Sequence, residues 1–173
     1  VKFDFPHLRD YVMDRNIMAD VSETATTWTN LLKLYENGVA DIEGAIRDTG
    51  VAPWIGCHVS HSYHTGASLY FTFGCLQCKG REIEQYLYVK KAAEDAFLKN
   101  GGTLSHHHAV GTEHLPWVED DISATGVKAV QALKEGLDPN GIMNPGKIIP
   151  SQEPLKEWGL SEKEIRRLTK IAK

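Results

Sequence analysis

The spacing of apolar residues switches between a two-residue and a 3.6-residue period along this chain, and the order of the switches restricts the folds that it can form. Ile17, Ala19 and Val21 alternate with other residues and predict a β-strand. From Trp28 to Ile46, apolar residues recur every three or four positions and predict an amphipathic helix. The pattern therefore starts with a strand and a helix.

Two more strands and a second helix follow. The stretch 54–75 is rich in β-branched, aromatic and small residues, and the polar sequence His64-Thr65-Gly66 divides it into two strands. Residues 82–100 return to helical spacing and end at Asn100-Gly101-Gly102, which is typical of a helix C-terminus. A short fourth strand is predicted from Thr103. The apolar face of the third strand is predicted to comprise Leu69, Phe71, Phe73 and Cys75, with Tyr70 and Thr72 on its other face.

The order strand, helix, strand, strand, helix, strand predicts an α+β fold of the ferredoxin-like type. In this split βαβ arrangement both helices cover one face of an antiparallel sheet. C-terminal helices are predicted at 121–137 and after the capping box that starts at Ser161, with Ile165, Leu168 and Ile171 as its apolar positions. A chain of 173 residues, 42% of them hydrophobic, suffices for one ordinary core. We expect one domain over 1–150 and a helical tail over 151–173.

Charge and cysteine content exclude several classes of function. The formal net charge of −4, without runs of Lys or Arg, argues against a nucleic-acid partner. No apolar run approaches the roughly 20 residues that span a bilayer. Three cysteines without a signal-peptide pattern are typical of a reducing compartment. Cys75-x-x-Cys78 could be a redox pair or half of a zinc site, but no second pair accompanies it.

The triple histidine His106-His107-His108 is the most unusual local feature, because three consecutive imidazoles cannot all face a core. In an extended segment His106 and His108 would share one face. A metal site is one interpretation and a solvated turn is another. The metal interpretation needs a third ligand, for which the candidates are His58, His61 and His64.

A second polar cluster, residues 60–66, interrupts the two strands that surround it and contains Tyr63. One interpretation is a polar hairpin loop. Another is that the Tyr63 phenol and a histidine form an acid/base pair, provided that this loop adjoins the triple histidine.

Two motifs carry a family resemblance. Residues 101–111 read GGTLSHHHAVG, and residues 137–147 read LDPNGIMNPGK. The second motif resembles the end of the FAD-linked oxidase C-terminal domain, in the vanillyl-alcohol oxidase type of flavoprotein. The triple histidine is similar to that of one branch of the family, the alkylglycerone-phosphate (alkyl-dihydroxyacetone-phosphate) synthases, whereas hydroxyacid-oxidising members usually have a Gly-Glu-His-Gly type of segment. The stretch 63–71 and Leu8-Arg9-Asp10 resemble the same branch.

The resemblance implies an FAD-dependent transferase or oxidoreductase, with the cofactor bound mainly by an N-terminal domain that is absent from this chain. It implies that the C-terminal domain covers the flavin and shapes the substrate pocket. The implied reaction exchanges the acyl chain of an acyl-dihydroxyacetone phosphate for a fatty alcohol and yields an ether-lipid precursor. The implied partners are these small molecules and the protein's own FAD-binding domain.

The resemblance also implies roles for individual residues, and a metal is not among the expected ligands. Tyr63 would help to remove a proton from the substrate carbon, and the three histidines His106, His107 and His108 would handle the acid and alcohol protons. His107, His108 and Asn144 would contact the cofactor. Arg9 would hold the phosphate or the departing carboxylate, since a guanidinium binds such anions through paired hydrogen bonds.

Two alternatives stay open at this point. The chain could belong to an FAD-linked dehydrogenase or oxidase of a D-2-hydroxyacid such as lactate or glycolate. It could instead be a non-catalytic ferredoxin-like binding module. We also expect a homodimer in the cytoplasm, with peripheral membrane contact as an option.

Overall fold

The computed structural model describes residues 8–150 and 152–163, and the chain divides into two compact units, Val1–Gly102 and Thr103–Lys173. In the described part of the first unit, the helices are α1 (Leu8–Met13), α2 (Leu31–Asp48) and α3 (Glu82–Lys99), and the strands are β1 (Ile17–Thr27), β2 (Trp54–Ser62) and β3 (Gly66–Leu76). A 3₁₀ turn, Trp28–Asn30, precedes α2. The predicted domain over 1–150 with a separate tail stays a prediction.

The strands form one antiparallel sheet in the order β1-β3-β2, so that β3 is central. In the register of the sheet, Ser22 lies opposite Phe71 and Cys57 lies opposite the same residue on the other side. A register shift between Val59 and His61 interrupts the β2–β3 pairing near the hairpin. The predicted division of residues 54–75 into two strands at His64 is confirmed.

The core of the first unit lies between one face of the sheet and the two long helices. Alternate residues of β3 point into it, and Phe71 and Phe73 are completely buried. The Phe71 ring packs against Phe97 of α3, with ring centroids 5.0 Å apart. Both helices thus cover the same face, and the α+β class with an antiparallel sheet is confirmed. The buried members from the helices are Leu34, Ile42, Ala45 and Ile46 of α2 and Val89, Ala93 and Phe97 of α3.

The fourth strand that was predicted from Thr103 is wrong, since residues 103–110 contain bends and no strand. The end of α3 is held by side chains instead of by a backbone ladder. The hydroxyl of Thr26 donates to the Gly101 carbonyl at 2.8 Å, and the Asn30 amide donates to the Asn100 carbonyl at 2.6 Å. Gly101 has a φ of +74°, which turns the chain where a strand would have to begin.

In the described part of the second unit, a 3₁₀ turn (Leu115–Trp117) leads into α4 (Val118–Leu137), and α5 (Gln152–Glu157) follows. Helix α4 starts three residues before the predicted Asp121 and is interrupted at Ser123, which has a φ of 68°. Leu115 and Leu155 form a small buried cluster with Val110 and Leu160. Helix α5 was not predicted.

The predicted terminal helix after Ser161 lies mostly outside the described residues. Only Glu162 and Lys163 of this helix are described, and both are helical. Within the described ranges, no helix has both the length and the apolar character that a bilayer crossing requires.

The Phe71 ring should contribute much of the stability of the first unit. Replacing Phe71 with Ala removes a completely buried ring, and we expect the free energy of unfolding to fall by about 3–5 kcal/mol. Denaturant titration monitored by circular dichroism measures the change.

Leu32→Ala is the matched control, because Leu32 lies on α2 but is 66% exposed. Its effect should stay within about 0.5 kcal/mol. Equal losses for the two variants would contradict the position of the core.

Candidate functional site

The face of the sheet that points away from α2 and α3, here called the far face, carries side chains of a different character from the core. Its positions follow from the alternation of side chains along each strand and from the strand register. The far face comprises Ala19, Val21 and Glu23 of β1, Trp54, Gly56 and His58 of β2, and Ser68, Tyr70, Thr72 and Gly74 of β3.

One end of the far face is an apolar groove of about 560 Å³. Arg9 of α1 lies at this groove and is exposed. Trp54, which is 62% exposed, lines it from β2, and Thr72 lines it from β3. A guanidinium beside an apolar groove can hold the anionic end of a molecule whose hydrocarbon part lies on the sheet.

The middle of the far face is polar. Glu23 lies directly opposite Tyr70 in the β1–β3 register, and its carboxylate is completely buried. On the other side of Tyr70, the His58 ring lies 5.0 Å away between centroids. Tyr70 is therefore flanked by a carboxylate and an imidazole, which are groups that exchange protons with a phenol.

Tyr63 lies in the β2–β3 hairpin at the other end of the sheet. Its amide donates to the Gly66 carbonyl at 2.8 Å, and its carbonyl accepts from the Trp28 indole at 2.9 Å. A Cβ on Gly66 would lie 1.9 Å from the Thr26 carbonyl oxygen, so only glycine permits this approach. The Tyr63 ring is 50% exposed and nearly parallel to the His61 ring at 6.5 Å.

Arg9 and Tyr63 lie toward different ends of the far face. The groove reaches β3 at Thr72, six residues along the strand from Gly66 at the hairpin. At about 3.4 Å per residue, that separation is roughly 20 Å. Tyr70 is only two residues from Thr72 on the same strand.

The triple histidine is in the second unit, and its geometry differs from the predicted extended segment. Residues 106–108 form bends, so the prediction that His106 and His108 share one face of a strand is wrong. The Nδ1 atoms of His106 and His107 are 2.9 Å apart. The rings of His107 and His108 are nearly perpendicular at 4.8 Å, and both of these residues are exposed.

Two side chains of the second unit form hydrogen bonds at the two ends of residues 104–110, here called the histidine segment. The Leu104 amide donates to the Asp121 carboxylate at 3.0 Å. Nδ1 of the buried His114 contacts the carbonyls of Ala109 and Val110 at 2.9 and 3.2 Å, which assigns a proton to that nitrogen. Sequence reasoning gave neither Asp121 nor His114 a role, because a lone carboxylate or imidazole has no periodic signal.

Asp138 holds the family motif of residues 137–147 together. Its carboxylate accepts from the amides of Ile142 and Met143 at 3.0 and 2.9 Å and from Lys134 at 2.7 Å. The hydrogen bond from Lys134 and the amide of Met143 hold the pKa of the Asp138 carboxyl below its ordinary value. Asn144 has a φ of 45°, a conformation that asparagine tolerates better than most residues, and it is exposed.

The cysteine pair does not suit redox chemistry. Burial and, to a smaller extent, the nearby Cys78 raise the pKa of the Cys75 thiol to about 11. The Cys78 thiol donates to the Thr49 carbonyl at 3.4 Å. A redox or zinc-binding cysteine reacts as the thiolate, which these surroundings disfavour at Cys75.

Comparison with known proteins places the chain in a class. Residues 2–148 match the family described as FAD linked oxidases, C-terminal domain, and the chain belongs to that family. It is 38% identical over 150 residues to the alkyldihydroxyacetonephosphate synthase of Dictyostelium discoideum, which covers 87% of this chain and 24% of that protein. It is 38% identical over 156 residues to the synthase of the same name from Trypanosoma brucei brucei, which covers 90% of this chain and 25% of that protein.

A solved structure of an alkyldihydroxyacetonephosphate synthase is also similar, with a TM-score of 0.60 at 32% identity. The match covers 83% of this chain and 23% of that one. The chain thus spans about a quarter of the length of the relatives that it matches.

Replacing Asp138 with Asn should loosen the loop formed by the family motif of residues 137–147, because the substitution removes the charge that pairs with Lys134. The folded-state pKa of Asp138 is lowered, so its stabilising contribution is complete above about pH 4 and is lost as the pH falls through the lowered pKa. We expect D138N to speed hydrogen exchange of the Ile142 and Met143 amides at neutral pH. In acid the difference from the parent chain should shrink.

Asp95→Asn provides the control, since Asp95 makes an exposed ion pair with Lys91 four residues away on α3, outside residues 137–147. It should leave exchange of the Ile142 and Met143 amides unchanged. Unaltered protection of these amides in D138N would contradict the role of Asp138.

Proposed function

We propose that this chain is the substrate-facing part of an FAD-dependent enzyme that exchanges the acyl chain of an acyl-dihydroxyacetone phosphate for a fatty alcohol. The observation that carries the proposal is the similarity to two synthases named for this class. A match over 150 of 173 residues necessarily includes both the hairpin with Tyr63 and the triple histidine. The family membership supports FAD as the cofactor.

The residues of the chain suit the substrate side of a flavin site. The far face supplies a phenol, an imidazole and a carboxylate, which are groups that move protons. No described strand leads into a glycine-rich helix N-terminus of the kind that binds a pyrophosphate. We therefore assign the nucleotide contacts to an N-terminal FAD-binding domain of the same protein, with His107, His108 and Asn144 contacting the flavin. When bound, FAD would supply the atom that accepts a bond from the substrate carbon.

Different side chains of this chain would carry out different proton transfers. A tyrosine removes a proton from the substrate carbon, and His106, His107 and His108 handle the protons of the departing acid and the incoming alcohol. Arg9 holds an anionic group of the substrate, and the apolar groove beside it suits an alkyl chain. The sequence resemblance gives the tyrosine role to Tyr63.

Tyr70 competes with Tyr63 for that role on geometric grounds. The groove that Arg9 lines reaches β3 at Thr72, whereas Tyr63 lies beyond the hairpin end of that strand, roughly 20 Å along the backbone. Tyr70 is near the groove and lies opposite the buried Glu23. The sequence resemblance still gives the role to Tyr63, and single variants of the two tyrosines decide between them.

Tyrosine-to-phenylalanine variants of the complete flavin-loaded protein separate these assignments. The assay is the incorporation of a labelled fatty alcohol into the ether product, together with exchange of the substrate-carbon hydrogen with heavy water. Removing the phenol that takes the proton should slow both by on the order of 10²–10⁴-fold. We expect this loss in Tyr63→Phe, and a loss confined to Tyr70→Phe would transfer the role to Tyr70.

Tyr88→Phe is the matched control. Its phenol also hydrogen-bonds a carboxylate, Asp48, at 3.0 Å, but it lies on α3, on the opposite side of the sheet from the far face. Its activity should equal that of the parent protein. Normal activity in both Tyr63→Phe and Tyr70→Phe would contradict a tyrosine as the proton acceptor.

Assembly and location belong to the proposal as well. We propose a cytoplasmic homodimer that contacts membranes peripherally, because both substrates carry long hydrocarbon chains. Sedimentation with and without vesicles that contain a fatty alcohol tests both points.

A further inference from the structure

A hydrogen-bonded chain of four residues connects β1, β2 and β3 on the far face near the hairpin. The Ser60 hydroxyl donates to the Glu23 carboxylate at 2.7 Å and is 2.6 Å from the Ser68 hydroxyl. The His61 amide donates to the Ser68 oxygen at 3.0 Å. Nδ1 of His61 lies 3.2 Å from the Ser60 oxygen, 3.4 Å from the Ser68 oxygen and 3.9 Å from the Glu23 carboxylate.

Counting donors in this network assigns the proton on the imidazole. An ionised carboxylate only accepts, so the Ser60 proton points to Glu23. The 2.6 Å contact between the two serines then needs the Ser68 proton, because two oxygens at that distance share a hydrogen. Both hydroxyl protons are used, so the two serine oxygens present lone pairs to Nδ1 of His61. Nδ1 therefore carries a proton, and Nε2 carries the lone pair.

The surroundings of His61 suit a proton acceptor. The Glu23 side chain is completely buried, whereas the His61 side chain is 48% exposed. A buried carboxylate that is linked to Nδ1 stabilises the imidazolium that forms when Nε2 takes a proton, as in catalytic triads. The imidazole also stacks on Tyr63, and Glu23 lies opposite Tyr70, so the network adjoins both candidate tyrosines.

We infer that His61 takes the hydroxyl proton of the incoming fatty alcohol, a role that the sequence resemblance gives to the triple histidine, and that Glu23, Ser60 and Ser68 position it. This inference rests on the proposed function and names a further residue for it. The alcohol O–H bond breaks as an N–H bond forms at Nε2, and the oxygen electron pair forms the ether bond to the substrate carbon. Over the whole exchange, the bond from that carbon to the acyl oxygen breaks, and its electron pair leaves with the fatty-acid carboxylate. The imidazolium then returns its proton to the departing fatty acid or to water.

The assigned tautomer is tested without any substrate. Long-range ¹H–¹⁵N spectra of the protein with labelled histidines should show His61 in the Nδ1–H form, with the signal identified by its loss in His61→Gln. Ser60→Ala should shift His61 toward the other tautomer, and Ser60→Thr, which keeps the hydroxyl, should restore it. An Nε2–H tautomer in the parent protein would overturn the network.

The proton-transfer role is tested by separating two steps of the reaction. His61→Gln should slow addition of the alcohol by on the order of 10²–10⁴-fold while leaving exchange of the substrate-carbon hydrogen near the parent rate. His64→Gln is the matched control, since His64 is an exposed residue of the same hairpin. It should leave both steps unchanged.

The outcomes separate the failure of this inference from the failure of the proposed function. If the parent protein exchanges acyl for alkoxy chains but His61→Gln and His64→Gln behave alike, His61 is not the acceptor. If the parent shows no exchange with any acyl ester, the proposed function fails, and the tautomer measurement still decides whether the network exists.

Discussion

The backbone hydrogen bonds that hold β3 between β1 and β2 determine which side chains can meet on either side of the sheet. One face of β3 supplies Phe71 and Phe73 to the core under α2 and α3. The period of two then places Ser68, Tyr70 and Thr72 on the far face, beside Glu23 and His58. A slip of one residue would exchange the two sets, so the same pairing supports both the core and the polar cluster.

The division of the far face follows from this register. The apolar end has small or aliphatic residues such as Ala19 and Gly74, which leave room for a groove beside Arg9. The polar end has a buried carboxylate, and burying a charge is costly unless hydrogen bonds compensate it. Ser60 donates one such hydrogen bond to Glu23, and Ser68 and the imidazole in turn contact the Ser60 hydroxyl and fix its orientation.

In the second unit, residues of the family motif stabilise the local backbone in addition to any chemical role. The Asp138 carboxylate accepts two loop amides and pairs with Lys134, and His114 holds the end of the histidine segment. These contacts maintain irregular backbone that has no helix or sheet ladder of its own. The segment that contains His106, His107 and His108 has a defined shape because its neighbours are bound in this way.

Periodicity alone could predict α2, α3 and the three strands, because each buries one regular stripe of apolar residues. It failed at Thr103, where Thr26 and Asn30 bind the carbonyls that end α3, and such side-chain contacts between distant residues leave no local pattern. It also placed Tyr70 correctly on the non-core face without assigning it a function, since its partner Glu23 is 47 residues away in sequence (70 − 23 = 47). The triple histidine was recognisable from composition, but its bends depend on Asp121 and His114.

The central claim is that this fold serves an exchange reaction on an acyl ester instead of the oxidation of a hydroxyacid. The most direct measurement is the visible absorption spectrum of the complete flavin-loaded protein without oxygen, before and after addition of palmitoyl-dihydroxyacetone phosphate, and separately of glycolate or D-lactate. We expect the flavin band to bleach with the acyl ester and to persist with both hydroxyacids. Bleaching by a hydroxyacid alone would contradict the claim and identify a dehydrogenase.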